Sequence, residues 1–257
     1  MENRRTSEYL FYPEDGQLQP CNSAVKGFSR PALLDQVFRE ISCTLQQENY
    51  PCVAALQSYK KNQYEVGFYH SLGLGLRNSE LASDLTRFVE NLDLQKTPFK
   101  SFWAVFKKKS ISEIEFENGL WRELSYLTSH QEMQDSWDPA FSSNPNDKNF
   151  CFSLGGHAFY VVGLHPHSSR LSRRFPFPVL LFNAYEQFNS LIKKGTFPSM
   201  IKVNRKLDSA FQGSVNPMVD KYGESWEAIQ FSGKNNPDTW KCPFQHGLKP
   251  PLKVSPL

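Results

Sequence analysis

Between Phe150 and Phe175 the chain reads FCFSLGGHAFYVVGLHPHSSRLSRRF, and no other segment restricts its fold so closely. Two apolar runs, Phe150 to Leu154 and His157 to Leu164, flank Gly155-Gly156. Paired glycines tolerate the positive φ angles of a tight primed turn, so the runs predict a β-hairpin. Pro166 removes a backbone donor and holds His165 extended, which ends the second strand and predicts a short rigid loop. That loop should present the imidazoles of His165 and His167 at the sheet end. Arg170, Arg173 and Arg174 follow, interleaved with Ser168, Ser169 and Ser172. Guanidinium forks and hydroxyls suit carboxylate or phosphate groups, so the segment can serve a metal and an anion together. The same spacing also fits a solvated basic turn and hydrogen-bonded structural histidines, and two histidines around one proline are a weak metal signature.

The flanking sequence supplies further elements. From the N-cap candidate Ser29, with Pro31 in the first turn, Leu33, Leu34, Val37, Phe38, Ile41 and Leu45 follow helical spacing. Pro51 to Tyr59 and Gln63 to His70 read as strands about Lys60 to Asn62, Ser79 to Leu92 as a helix, and Phe102 to Phe106 as a strand. Ser112 with Glu115 forms a capping-box pattern, opening a helix that ends near His130. Pro178 to Asn183 reads as a strand, Tyr185 to Lys194 and Pro198 to Phe211 as helices separated by Gly195, and the chain beyond Asn216 as mostly loop. Residues 1–28, with Pro13, Asp15-Gly16 and Pro20, read as an irregular N-terminal arm on a domain spanning 29–257. Short turns between strands and helices gathered between strand pairs predict an α+β domain, with a largely antiparallel central sheet flanked by helices.

Charge and cysteine usage narrow the function classes. The net charge of +3 is the small remainder of 29 basic and 26 acidic residues, too weak to argue for nucleic acid without a contiguous basic face. No apolar run approaches a membrane span, and the N-terminus lacks the apolar stretch of a signal peptide, so a cytoplasmic protein is expected. Cys21, Cys43, Cys52, Cys151 and Cys242 are odd in number, widely spaced and without a C-x-x-C pair, which argues against a disulfide framework or structural zinc.

Several separate motifs then fall in register. They are Phe152-Ser153, Gly155-Gly156, Ala158-Phe159 and G-L-H-P-x-S-S-R-x-x-R-R-F from Gly163 to Phe175. Tyr50-Pro51-Cys52 is similar to an F-P-C opening, Asn216-Pro217-Met218 with Tyr222-Gly223 to N-P-M-x-x-x-Y-G, and Trp240 to Phe244 to W-x-C-P-F. Together they resemble the YqcI/YcgG family over roughly residues 30–246. The resemblance implies a haem b protein, a monooxygenase hydroxylating an amine or guanidine nitrogen of an amino acid or related small molecule. Dioxygen would be its co-substrate, with electrons from an external donor. It also assigns the axial iron ligand to His165, the histidine of G-L-H, and sets Ser169, Arg170, Arg173 and Arg174 against the haem propionates. His167 is the runner-up ligand. Cys242 is a thiolate alternative, or else packs in an aromatic tail, while Cys52 and Cys151 read as core. His157 is expected to be structural or to face a distal pocket. Glu186, Glu224 and Glu227 are candidates for holding a cationic substrate end, or are surface acids. A non-catalytic haem sensor or carrier, and a non-haem anion-binding interaction domain, are the alternatives.

Overall fold

The computed structural model describes residues 10–21, 32–75, 78–108, 112–129, 137–216, 227–237 and 239–250. Its strands are β1 (Leu10–Glu14), β2 (Gln17–Pro20), β3 (Tyr64–Tyr69), β4 (Ser101–Phe106), β5 (Ser153–Leu154), β6 (His157–Leu164) and β7 (Val179–Ala184). Its helices are α1 (Ala32–Leu45), α2 (Val53–Lys60), α3 (Asn78–Glu90), α4 (Glu113–Leu127), α5 (Tyr185–Lys193) and α6 (Phe197–Gln212). The strands form one sheet in the order β2-β1-β3-β4-β7-β6-β5. Among the described residues β3 and β4 pair in parallel, across the α3 crossover, and the other neighbours pair antiparallel. The α+β class and largely antiparallel sheet are therefore as the sequence implies.

Both faces of the sheet are covered, so its central strands are buried on both sides. Side chains alternate between the faces. On β4, Phe102, Ala104 and Phe106 join the core under α3 and α4, while Trp103 and Val105 join a second core under α1 and α2. On β7, Leu180 and Phe182 face the first core, Val179 and Leu181 the second. On β6, Phe159 and Val161 belong to the first, and Val162 and Leu164 to the second.

The central hairpin forms about its glycines, with φ of 61° at Gly155 and 81° at Gly156 and Ser153 opposite Ala158. Its first strand is shorter than expected, since only Ser153–Leu154 pairs as strand. The cap forms as expected at the start of α4, where Ser112 Oγ accepts from Glu115 N at 3.1 Å. The expected end of that helix near His130 lies outside the described residues.

Two expectations are corrected. The arm over residues 1–28 contains the β1–β2 hairpin, turning at Asp15-Gly16, where both residues have positive φ. Pro13 is tolerated because β1 bonds β3 only through Leu10 and Phe11, so its missing donor falls outside that ladder. The stretch Pro51 to Tyr59 is not a strand but helix α2. Cys52 is its N-cap, its sulfur accepting from Ala55 N at 3.4 Å, and Ala54, Ala55, Leu56 and Gln57 are good helix formers.

Candidate functional site

His165 directly follows β6 and shares the parity of Phe159, Val161 and Gly163, so its ring lies on the α4 side of the sheet. It is fully buried, not presented at the sheet end, and stacks on Phe116 with ring centroids 4.3 Å apart. Its backbone is held on both sides: His165 N donates to Arg173 O, and His165 O accepts from Phe175 N and Ser168 N. Neither ring nitrogen has a hydrogen-bond partner. Burial, reinforced by the charges of His167 and Arg173, lowers its pKa to about 4, so the ring is neutral at neutral pH. That protonation state suits a metal ligand.

The arginines that the sequence gathers beside it are separated by the fold. Arg170 is buried and its Nη2 reaches both carboxylate oxygens of Asp208 on α6 at 2.6 Å, with further bonds to Ser214. Arg174 is exposed and gives Nε to Ser168 O at 2.9 Å. Ser169 is bound to Glu113 Oε1 through both its N–H and its hydroxyl. His167 is exposed. Arg173 alone turns toward open space, with one guanidinium bond, Nη1 to Gly163 O at 3.3 Å.

That space is a cleft on the opposite face of the sheet from His165. It lies between β6 and β7 below and α2, α5 and α6 around it, with a cavity of ≈ 190 Å³ inside empty space of ≈ 1380 Å³ that includes its open mouth. Trp103, Val162, Leu164, Leu181 and Phe188 supply apolar wall. Polar groups converge at one end: Arg173, Tyr50, Tyr160, Asn204 and the sulfur of Cys52. Most of these are already spoken for. Tyr50 Oη donates to Ser172 O, Tyr160 Oη donates to Gln230 Oε1, and Asn204 Oδ1 accepts from Val53 N at the start of α2. Burial raises both phenols, Tyr160 to about 12, so they remain protonated.

A haem does not fit around His165 as these residues stand. The ring's chemistry is right, but Phe116 covers one face, and Gly163 has no room beside it: a Cβ there would meet Phe116 Cε1 at 2.6 Å and Phe231 O at 2.8 Å. Arg170 and Ser169, expected against propionates, are bound to Asp208 and Glu113. The cleft offers apolar walls, a cation and a sulfur donor, but its cavity of ≈ 190 Å³ is close to the about 150 Å³ that takes a single benzene ring, so it suits a small molecule and does not take a haem macrocycle as it stands. Cys242 packs in the first core and burial pushes its thiol up to about 12. His157 Nδ1 contacts Glu186 Oε1 at 2.6 Å at the hairpin turn, away from the cleft lining. Glu227 receives a bond from Tyr185 Oη and is raised to about 7 by burial; Glu224 lies outside the described residues. Among the described residues no group of three His, Cys, Asp or Glu side chains is placed to hold a metal ion.

Sequence reasoning therefore found Arg173 but missed the cleft's other polar groups. Cys52 was taken for strand core, although Tyr50-Pro51-Cys52 stood out as a motif, and Tyr160 looked like one more apolar strand residue. Neither the curated proteins nor the solved structures include a match to this chain. The YqcI/YcgG family model matches residues 41–245, which take in the cleft from Leu45 to Asn216 and the whole His165 turn. The chain belongs to the YqcI/YcgG family.

Proposed function

We propose that this protein is a haem-dependent monooxygenase that hydroxylates an amine or guanidine nitrogen of an amino acid or related small molecule, with the cleft as its substrate chamber. The observation that carries this reading is the pairing of apolar walls with one under-committed cation, Arg173, inside a cleft framed by family-matched residues. A bound haem supplies dioxygen activation, with electrons from an external donor. The chain supplies the rest. Arg173 neutralises the acid group of the substrate through charge-assisted hydrogen bonds. The walls from Trp103, Val162, Leu181 and Phe188 exclude water and disfavour a charged ammonium, so an entering amine gives up its proton and offers a lone pair. Asp208, fixed by Arg170 and by Asn216 N at 2.6 Å, holds α6 and the following chain as the cleft's far wall.

The test is to load the purified protein with haem, supply reductant and labelled dioxygen, and offer amino acids with amine and guanidine ends. One labelled oxygen atom on the substrate nitrogen is the expected product. Haem uptake without any oxygenated product across the panel favours the sensor or carrier reading instead.

A further inference from the structure

Resting on the reading of the cleft as the substrate chamber, we propose that it takes a small carboxylic acid with one uncharged aromatic ring, an aromatic amino acid being the case that also carries a nitrogen, and that it rejects lysine and arginine. The charge of the lining points this way. Among the described residues that line the cleft, Asp208 is the sole acid, against Arg173 and Arg205. Both oxygens of Asp208 are engaged by Arg170 Nη2 at 2.6 Å, and Oδ2 also accepts from Asn216 N at 2.6 Å. Tyr50, Cys52 and Tyr160 line the same space and add no negative charge at neutral pH, because burial raises all three above their ordinary values. A cationic side chain on the ligand would therefore enter with no open carboxylate to receive it, and a buried unpaired charge is costly. A carboxylate meets the opposite situation. Arg173 is half-buried, its stem lies against Gly233, and its guanidinium makes one bond, to Gly163 O, which leaves donors for an anion.

Strand register sets the order of groups along the cleft floor. Val162 on β6 is opposite Leu181 on β7, which is opposite Trp103 on β4, so three large apolar side chains cross the floor in one row. Two residues along, the next row on the same face is polar, with Tyr160 opposite Asn183. α5 adds Gln187 and Phe188 to the lining. Gln187 is 5% exposed; its Nε2 donates to Lys100 O, and its Oε1 has no partner among the described residues. Asn183 gives Nδ2 to Tyr160 O at 3.4 Å, and its Oδ1 has no partner among the described residues. Both are neutral acceptors, suited to the N–H groups of an uncharged amine, and neither carries the charge that would compensate an ammonium or guanidinium. Size agrees with charge. The cavity of ≈ 190 Å³ is little larger than the about 150 Å³ that takes a benzene ring, which leaves room for one ring and a short acid-bearing chain. The rings of Trp103 and Phe188 in its walls favour an aromatic occupant over an aliphatic one.

The experiment is calorimetric titration of the purified protein with L-phenylalanine, 3-phenylpropionate, phenethylamine, L-lysine and L-arginine, repeated on Arg173→Met and Asn183→Asp after circular dichroism has confirmed their folding. Phenylalanine and 3-phenylpropionate should bind the parent, while phenethylamine, the same body without the acid, should bind about tenfold or more weakly. Lysine and arginine should be weaker than phenylalanine by a similar factor or more. Arg173→Met should weaken phenylalanine about tenfold or more, and Asn183→Asp, which puts an acid on the cleft floor, should narrow the gap between lysine and phenylalanine. Lysine or arginine binding the parent as tightly as phenylalanine, phenylalanine binding folded Arg173→Met as tightly as the parent, or an unchanged gap in folded Asn183→Asp overturns the inference and leaves the chamber reading in place. A parent that binds none of the five compounds removes both.

Discussion

At the scale of single residues, His165 and Arg173 show how one turn serves two sides of a sheet. The chain leaves β6 on the α4 side at His165, and eight residues later Arg173 lines the cleft on the other side; the two are tied by the bond from His165 N to Arg173 O. The sequence made these residues conspicuous but could not assign them faces. Ordinarily a polar partner alternates with each apolar strand residue and reveals the parity, yet in β6 both sets, Phe159 and Val161 against Val162 and Leu164, are apolar because both faces are covered. The buried imidazole has a measurable signature. Its unfolded pKa of 6.5 falls to about 4 in the fold, so the native state binds fewer protons and the stability present above about pH 6.5 is lost as pH falls toward 4. Glu123 and Glu227, both raised from 4.5 to about 7 by burial, have the opposite sign: they favour the fold at low pH and lose that contribution as pH rises through 7. Denaturant midpoints of the parent and His165→Phe separate the two effects. From about pH 7.5 to about pH 5 the parent should lose about 2 kcal/mol relative to the variant.

Among the elements, long periodic helices and the central strands were legible, and short ones were not. α1, α3 and α4 were found because their apolar stripes run for three turns or more. α2 is eight residues long, and a short apolar run such as Val53 to Leu56 carries no period that separates helix from strand. What decided it was a cap, and the capping atom is a cysteine sulfur, outside the usual oxygen set of N-caps. β6 presents the opposite situation: its strand character was plain, but the closeness of its surroundings was not. Gly163 donates its N–H to Phe231 O at 2.7 Å, so the segment after the 3-10 turn Glu227–Gln230 lies directly against it. Gly163→Ala would drive a methyl group into that carbonyl and into Phe116, and backbone cannot move aside as a side-chain end can. The expected loss is about 1–3 kcal/mol, read as a lower denaturant midpoint with the slope unchanged.

For the molecule as a whole, the sequence conveyed class and sheet type but left its first strands unseen. Pro13 and Pro20 disguised a hairpin whose Asp15-Gly16 turn is ordinary, since proline in a run argues against a strand except at an edge. That hairpin lies before the family-matched residues 41–245. It covers the flank of β3, a strand in which all six residues are buried. Removing residues 1–21 would therefore strip β3 of its neighbour and expose unpaired backbone groups beside Val66 and Gly67. Size-exclusion chromatography should show the shortened protein self-associating with rising concentration, where the full chain elutes as one species. A shortened protein that stays dispersed at the same concentrations would count against this. In the vocabulary of aggregation, the N-terminal hairpin is a guard strand: it occupies the flank of β3 at which a second copy of that strand could add itself to the sheet and begin a fibre.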